Sequence, residues 1–207
     1  MMNIHEKFMD LDIEISETLG NKLKATLISS KSAKEPPSTD LPVNLQNFYK
    51  QVTHLQYKWE TKEPIDGRII EGSINILPQE KVLKDWVDTT YLNDLPTYPD
   101  IENFKIADFF NELACVGYIN TKRKVDYMQY LRIGSMELEP LDLDFDGYIK
   151  LMFAARGFSY WPKVIIDLRA GEELGPDSET FKTYMPQIFS DFKWEEFVAL
   201  YEKVRIK

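Results

Sequence analysis

Cysteine and histidine, the usual zinc ligands, are scarce in this sequence. Among 207 residues there are one cysteine, Cys115, and two histidines, His5 and His54. A single cysteine excludes an internal disulfide, and the apolar setting ELACVGYI predicts a buried thiol rather than a nucleophile. Because the histidines form no ligand-spaced cluster, we interpret both as polar surface or edge residues and expect no zinc site.

Glycine-rich phosphate-binding motifs and long apolar runs are also missing. None of the nine glycines is two residues from another, and no GxGxxG, GxxxxGK[ST], HExxH or GxSxG motif occurs. These absences count against a nucleotide cofactor and against the hydrolase families that carry these motifs. No stretch of about 18 apolar residues occurs, and the N-terminus MMNIHEKFMDLD lacks the apolar run of a signal peptide. We therefore expect a soluble, cytoplasmic protein that does not contact a membrane.

The chain is acidic, and its charge is unevenly distributed. Its 34 acidic and 25 basic residues give a formal net charge of -9, which counts against a nucleic-acid binder because such proteins present a clustered basic face. Seven acids and a single base, Lys105, lie between Asp85 and Glu112, and five acids without a base lie between Glu137 and Asp146. These two acidic stretches serve either solubility or the binding of a basic partner.

The stretch from Asp40 to Glu60 predicts a helix followed at once by a strand. Apolar residues recur at helical spacing after Pro42 and then alternate with polar ones. We expect Asp40 to cap the helix. The residues that carry the two patterns are Leu45, Phe48, Tyr49 and Val52, followed by Leu55, Tyr57 and Trp59.

Comparable patterns predict further elements around this unit. Helices are expected over the first twenty residues (or a strand over Leu11–Ile15), Gln79–Val87, Asp142–Arg156, from Asp177 or Ser178 through Phe189, and from Asp191 through Val204. The third of these should bury Phe145, Ile149 and Phe153 against the sheet. Strands are expected over Leu55–Glu60, Ile69–Leu77, Ala114–Ile119 and Tyr127–Ile133, and Val164–Leu168 fits a strand or a helical turn. The segments Ser29–Asp40 and Thr89–Asp100 should be exposed and irregular.

Together these elements indicate an α+β fold. We expect a mostly antiparallel sheet of about five or six strands covered by helices. At 43% hydrophobic residues the chain can bury a full core, and a single domain is expected. Residues 1–170 should form the core of this domain, and residues 171–207 a C-terminal helical extension.

The helix-and-strand stretch also resembles a known family. Leu41-Pro42, an amphipathic helix and then a strand bearing Trp59, followed by the strand-then-helix text from Ile69 to Trp86, are similar to the SUKH superfamily. In the helix, the matching residues are Leu45, Phe48 and Tyr49. This superfamily includes the fungal Smi/Knr cell-wall regulators and many bacterial immunity proteins.

The resemblance implies a non-catalytic protein-binding module, whose best-known bacterial form neutralises a cognate toxin. We therefore expect a protein partner such as a basic nuclease-type toxin, no cofactor and no direct contact with nucleic acid. A hydrolase with a carboxylate-based site and a regulatory scaffold are the alternatives. A toxin or secretion gene beside the reading frame would favour immunity, and a metabolic operon would favour an enzyme.

The two acidic stretches indicate where such a partner would bind. If they converge, they form one negative face that competes with phosphates for the basic surface of a nuclease. If they lie on opposite sides, they only keep the protein soluble. The predicted partner-binding residues are Asp94, Tyr98, Asp100, Glu102, Glu137 and Glu139.

The second acidic stretch also imitates the start of a calcium-binding loop. Asp142, Asp144, Asp146 and Gly147 follow the spacing of an EF-hand. The position that should hold a bidentate glutamate is Phe153, and the predicted helix begins inside the loop. We therefore interpret these acids as helix-start residues, which the helix dipole stabilises.

The fold should not depend on a bound metal, because the sequence has no cluster of ligands to hold one. Thermal melts with and without a chelator should have the same midpoint. A chelator-induced drop of several degrees would contradict this and would revive the site at Asp142–Asp146.

Overall fold

The computed structural model describes residues 3–19, 22–84, 101, 103–120, 127–135, 137–171 and 173–206. The helices in this part of the chain are α1 (Ile4–Leu19), α2 (Val43–Tyr49), α3 (Gln79–Val82), α4 (Phe145–Ala154), α5 (Trp161–Ala170), α6 (Pro176–Ile188) and α7 (Trp194–Val204). The strands are β1 (Leu23–Ser32), β2 (Val52–Thr61), β3 (Glu71–Ile76), β4 (Phe104–Asp108), β5 (Ala114–Ile119), β6 (Met128–Arg132) and β7 (Glu137–Pro140). The predicted α+β class and the C-terminal helical region are confirmed.

The strands form one antiparallel sheet in which each strand pairs with the next one along the chain. The order is β1-β2-β3-β4-β5-β6-β7, so β1 and β7 are the edges among the described residues. Every pair of neighbours is antiparallel. Seven described strands exceed the five or six expected, because β1, β4 and β7 were not predicted as strands. The irregular segment predicted to start at Ser29 in fact starts after Ser32, since β1 pairs with β2 up to that residue.

The helix-and-strand unit is present as predicted, except for its cap. Leu45 and Phe48 of α2 are buried, and Trp59 on β2 has no exposed surface. Pro42, not Asp40, is the N-cap residue of α2, and no side chain caps the helix. Asp40 is exposed, and its own backbone N–H donates to the hydroxyl of Ser38.

One side of β3 pairs with β2, and the other side pairs with two different segments, so the sheet divides at this strand. The end of β3 pairs with β4 through Ile76 and Asp108. At its start, the N–H of Ser73 donates to the carbonyl of Gly157 (2.6 Å), in the segment that follows α4. Gly157 has a φ of +65°, and a Cβ there would lie 2.6 Å from a side-chain carbon of Ile74. Both the positive φ and the lack of space for a Cβ therefore require glycine at this position.

The indole ring of Trp59 joins this sheet to the C-terminal helices. Its N–H donates to the carbonyl oxygen of Arg156 (2.7 Å), and the ring packs edge-on against Phe158 and Phe189. A Cβ on Gly72, in the neighbouring strand, would lie 2.3 Å from the indole, so glycine makes room for the ring. Because Phe189 follows α6 directly, residues beyond 171 share the hydrophobic core of the sheet.

The side chain of Arg156 holds three separate parts of the fold together. Its guanidinium bonds to the carboxylate of Glu14 on α1 (2.8 Å) and to that of Asp191 between α6 and α7 (2.6 Å). It also lies 5.3 Å from the centre of the Phe189 ring. With 12% of its side chain exposed, this charge is mostly removed from water and depends on these partners.

The remaining helices differ from prediction mainly at their first residues. Asp144 caps α4 by accepting from the N–H of Gly147 (2.7 Å), as its position at a helix start predicts. The segment Val164–Leu168 is helical, because Pro162 in the first turn of α5 is compatible with a helix. The expected caps Asp177, Ser178 and Asp191 are wrong, since Gly175 and Lys193 are the N-cap residues of α6 and α7.

One predicted helix and one predicted loop extend beyond the described residues. The helix expected over Gln79–Val87 is described as the single turn α3, and the irregular segment Thr89–Asp100 lies outside the described ranges. None of the helices in the described ranges is long and apolar enough to cross a membrane.

The burial along α4 allows a direct comparison of two phenylalanines. Phe145 is 1% exposed, whereas Phe153, expected to be buried, is only partly so. Phe145→Ala should lower the free energy of unfolding by about 3 to 5 kcal/mol, and Phe153→Ala by clearly less, because part of its ring is already hydrated. Urea denaturation measures both losses. Equal losses would show that the two rings are equally enclosed.

Candidate functional site

The predicted binding residues Glu137 and Glu139 lie on the edge strand β7. Glu137 is exposed and Glu139 is partly exposed. Both face Arg132 on the neighbouring strand, at 3.4 Å and 3.8 Å between the charged atoms. The stretch from Glu137 to Asp146 contains no base of its own, but Arg132 on β6 lies against its two glutamates. Counted over these three side chains, the net charge is -1 rather than -2. Exposed pairs of this kind stabilise the fold by about 1 kcal/mol at most, so the carboxylates remain able to bind a partner.

An open groove lies at the end of β6 and β7. Its volume is about 580 Å³, and Tyr127, Gln129, Pro140 and Asp142 line it together with the C-terminal Arg205 and Ile206. Tyr127 is 38% exposed. An exposed tyrosine is a residue type that anchors protein interfaces, because the ring buries a large area at a low entropy cost.

The other predicted binding residues are not described. Asp94, Tyr98, Asp100 and Glu102 lie outside the described ranges, so the convergence of the two acidic stretches is not tested and stays a prediction. One acid of the first stretch, however, is not at the surface. Asp108, which contributes to the acidic count of that stretch, has no exposed surface at all.

Asp108 lies where β4 pairs with the end of β3. Its carboxylate there accepts from a backbone N–H of β3 in place of a backbone carbonyl. It accepts hydrogen bonds from the N–H of Asn75 (3.0 Å) and from the hydroxyl of Tyr148 on α4 (2.7 Å). Burial raises the pKa of Asp108 to about 6, although both hydrogen bonds lower it. Burial and, secondarily, Asp108 raise the pKa of the Cys115 thiol, which disfavours the reactive thiolate. The carboxyl therefore has a structural role.

The acids of the second stretch are also largely committed to the fold. Asp142 bonds to Arg169 (3.0 Å), and Asp144 accepts from Asn44 (3.0 Å) in addition to capping α4. Burial first and Asp144 second raise the pKa of Asp146, whereas Lys150 lowers it. In the described ranges, no three His, Cys, Asp or Glu side chains are grouped so that they could hold a metal ion.

One pairing of polar side chains was not anticipated from the sequence. His54 on β2 lies between two hydroxyls, with Ser29 at 2.9 Å from Nε2 and Thr53 at 3.1 Å from Nδ1. A serine and a histidine in contact resemble a nucleophile and its base, but a hydroxyl replaces the carboxylate that orients such a histidine. Only the pairing of β1 with β2 brings Ser29 to His54, and no spacing in the sequence indicates it.

A scan against protein-family models and searches of curated proteins and of solved structures found no match. The resemblance to the SUKH superfamily thus rests on the residues between Leu41 and Trp86, and it stays a prediction.

The buried carboxyl of Asp108 should make stability depend on pH. Its folded pKa of about 6 lies above the 3.8 of an ordinary aspartate, so the folded state holds an additional proton between these values. The free energy of unfolding should therefore fall by about 3 kcal/mol through this group as the pH rises from about 4 to about 7. In Asp108→Asn, which keeps an oxygen for the Asn75 N–H, this loss should be absent.

Urea denaturation of wild type and Asp108→Asn across this pH range measures the effect. Asp10→Asn is the matched control, since the Asp10 side chain is 59% exposed and pairs only with the exposed Lys7 in the described structure. A difference between wild type and Asp108→Asn that stays constant with pH would show that Asp108 does not titrate in this range.

Proposed function

We propose that this protein is a non-catalytic binding module for a basic protein, of the kind that the resemblance to SUKH immunity proteins implies. The observation that carries the proposal is the edge strand β7, from which Glu137 and Glu139 project, while Tyr127 lines an open groove at the end of the same strand. The chain as a whole has a net charge of -9, which favours a positively charged partner at long range.

The exposed carboxylates of this edge support a nuclease-type toxin as the proposed partner. Such a toxin must present a basic surface to bind phosphates. Carboxylates on a neutralising protein attract that surface, accelerate the encounter and occupy the positions that the phosphates would take. The proposal keeps Asp94, Tyr98, Asp100 and Glu102 as predicted contacts to the same partner, and Tyr127 supplies an additional aromatic anchor.

Charge reversal on β7 tests the proposal. The partner to use is the protein encoded by an adjacent toxin-type reading frame, with affinity measured by calorimetry at several salt concentrations. Glu137→Lys/Glu139→Lys should weaken binding about tenfold or more and reduce its salt dependence, because attraction becomes repulsion. Asp100→Lys/Glu102→Lys should act in the same direction.

The control reverses two charges elsewhere on the surface. Glu195 and Glu196 are exposed in the first turn of α7, and changing both to Lys alters the net charge by the same amount. This control should bind with nearly wild-type affinity. If the β7 variant and the control have the same affinity and salt dependence as wild type, Glu137 and Glu139 are not part of the binding surface.

A further inference from the structure

Helix α1 presents apolar side chains on the face that points away from the sheet. Its inner face is formed by Ile4, Phe8, Leu11 and Ile15, which are all buried. On the opposite face Met9 is 44% exposed and Ile13 is 51% exposed, one helical turn apart. An amphipathic helix that only covers a sheet needs polar residues at such positions. Two large apolar side chains one turn apart there form a small apolar patch on the helix surface.

A third exposed apolar side chain lies beside this helix on β1. Ile28 is 47% exposed and pairs directly with Tyr57 of β2, so the two side chains point to the same face of the sheet. The Tyr57 ring packs edge-on against Phe8 of α1, and its hydroxyl donates to Asp12 (3.3 Å). Ile28 thus lies on the face that α1 covers, at the open edge. The two exposed apolar side chains of the helix itself, Met9 and Ile13, form what we call the α1 face, and Ile28 lies at the sheet edge under the same helix.

Two exposed acidic residues lie beside Ile13 on the α1 face. The helix contains five acids and one base, Lys7. At 100° per residue, Glu6 and Glu17 project within about 40° of Ile13 on the helix surface. Both are exposed, whereas Glu14 is held by Arg156. An apolar pair with two carboxylates beside it is complementary to apolar residues flanked by lysine or arginine.

The edge of β1 itself is protected against the addition of another strand. Its pairing with β2 is interrupted between Ala25 and Leu27, and the exposed Lys24 and Lys31 lie on either side of Ile28. Irregular pairing and edge lysines are features by which sheets avoid edge-to-edge association. An occupant would therefore contact the side chains of α1 rather than extend the sheet.

We infer that the α1 face is a docking surface for a basic amphipathic helix of a partner protein. A second copy of this chain fits poorly, because it would place one acidic helix against another. The inference rests on the proposed function only in one respect, which is that the protein binds a basic partner. It adds an apolar contact at α1, which the β7 edge does not supply.

Binding of defined peptides tests this inference. The probe is a fluorescent helical peptide with leucines on one face flanked by lysines, and the matched probe has glutamates in place of the lysines. Fluorescence anisotropy should show saturable binding of the basic peptide and at least tenfold weaker binding of the acidic one. Added salt should weaken the first interaction only in part, because the apolar contact is not screened.

Substitutions on the α1 face locate the binding. Met9→Gln/Ile13→Gln should weaken binding of the basic peptide about tenfold or more, and Glu6→Gln/Glu17→Gln should weaken it mainly at low salt. Leu113→Gln is the control, since Leu113 is 65% exposed and lies next to β5. These positions are exposed, so thermal melts should stay close to those of wild type.

Three results would overturn the inference. They are no binding of the basic peptide to wild type, equal affinity of wild type and Met9→Gln/Ile13→Gln, or a wild-type dimer by sedimentation that this double variant converts to monomer. The β7 variants distinguish this failure from failure of the proposed function. If the β7 variants no longer bind the toxin while the α1 variants still bind it, the proposed function holds and the α1 face is not a docking surface.

Discussion

The burial of the Trp59 indole is the constraint on which the rest of the architecture depends. A buried N–H without an acceptor would cost about 1 to 3 kcal/mol, and the carbonyl oxygen of Arg156 supplies that acceptor. This hydrogen bond holds the end of α4 over the sheet. The adjacent strand must carry glycine at position 72, and the C-terminal helices must bring Phe189 to the ring. One side chain therefore connects the sheet, α4 and the C-terminal region.

The division of the sheet at β3 follows from the same arrangement. Because the segment after α4 pairs with the first half of β3, β4 can pair only with the end of that strand. The N–H of Asn75 then needs another acceptor, since buried backbone donors are almost always satisfied. The carboxylate of Asp108 provides it. An acidic residue is buried here at a cost in solvation, which its raised pKa reflects.

Acidic residues that look alike in the sequence have different roles in the fold. Asp108 completes the sheet, Asp144 caps α4 and Glu14 neutralises Arg156, so none of these carboxylates is available to a partner. Glu137 on the β7 edge and Glu6 and Glu17 on α1 are exposed, and Glu139 is partly exposed. The net charge of the chain thus overstates the number of carboxylates available at the surface. The proposed partner would contact separate acidic regions rather than one uniform face.

The sequence by itself determined the elements whose signal is local. The 3.6-residue period predicted α1, α2 and α4, and the alternation around Trp59 predicted β2, because these patterns need only the chain's own spacing. The edge strands β1 and β7 carry weak alternation, and they are strands because β2 and β6 pair with them. The burial of Asp108 and the contact of Ser29 with His54 were likewise decided by tertiary structure alone. They depend on neighbours 25 to 40 positions away in the chain, and no local pattern encodes such distances.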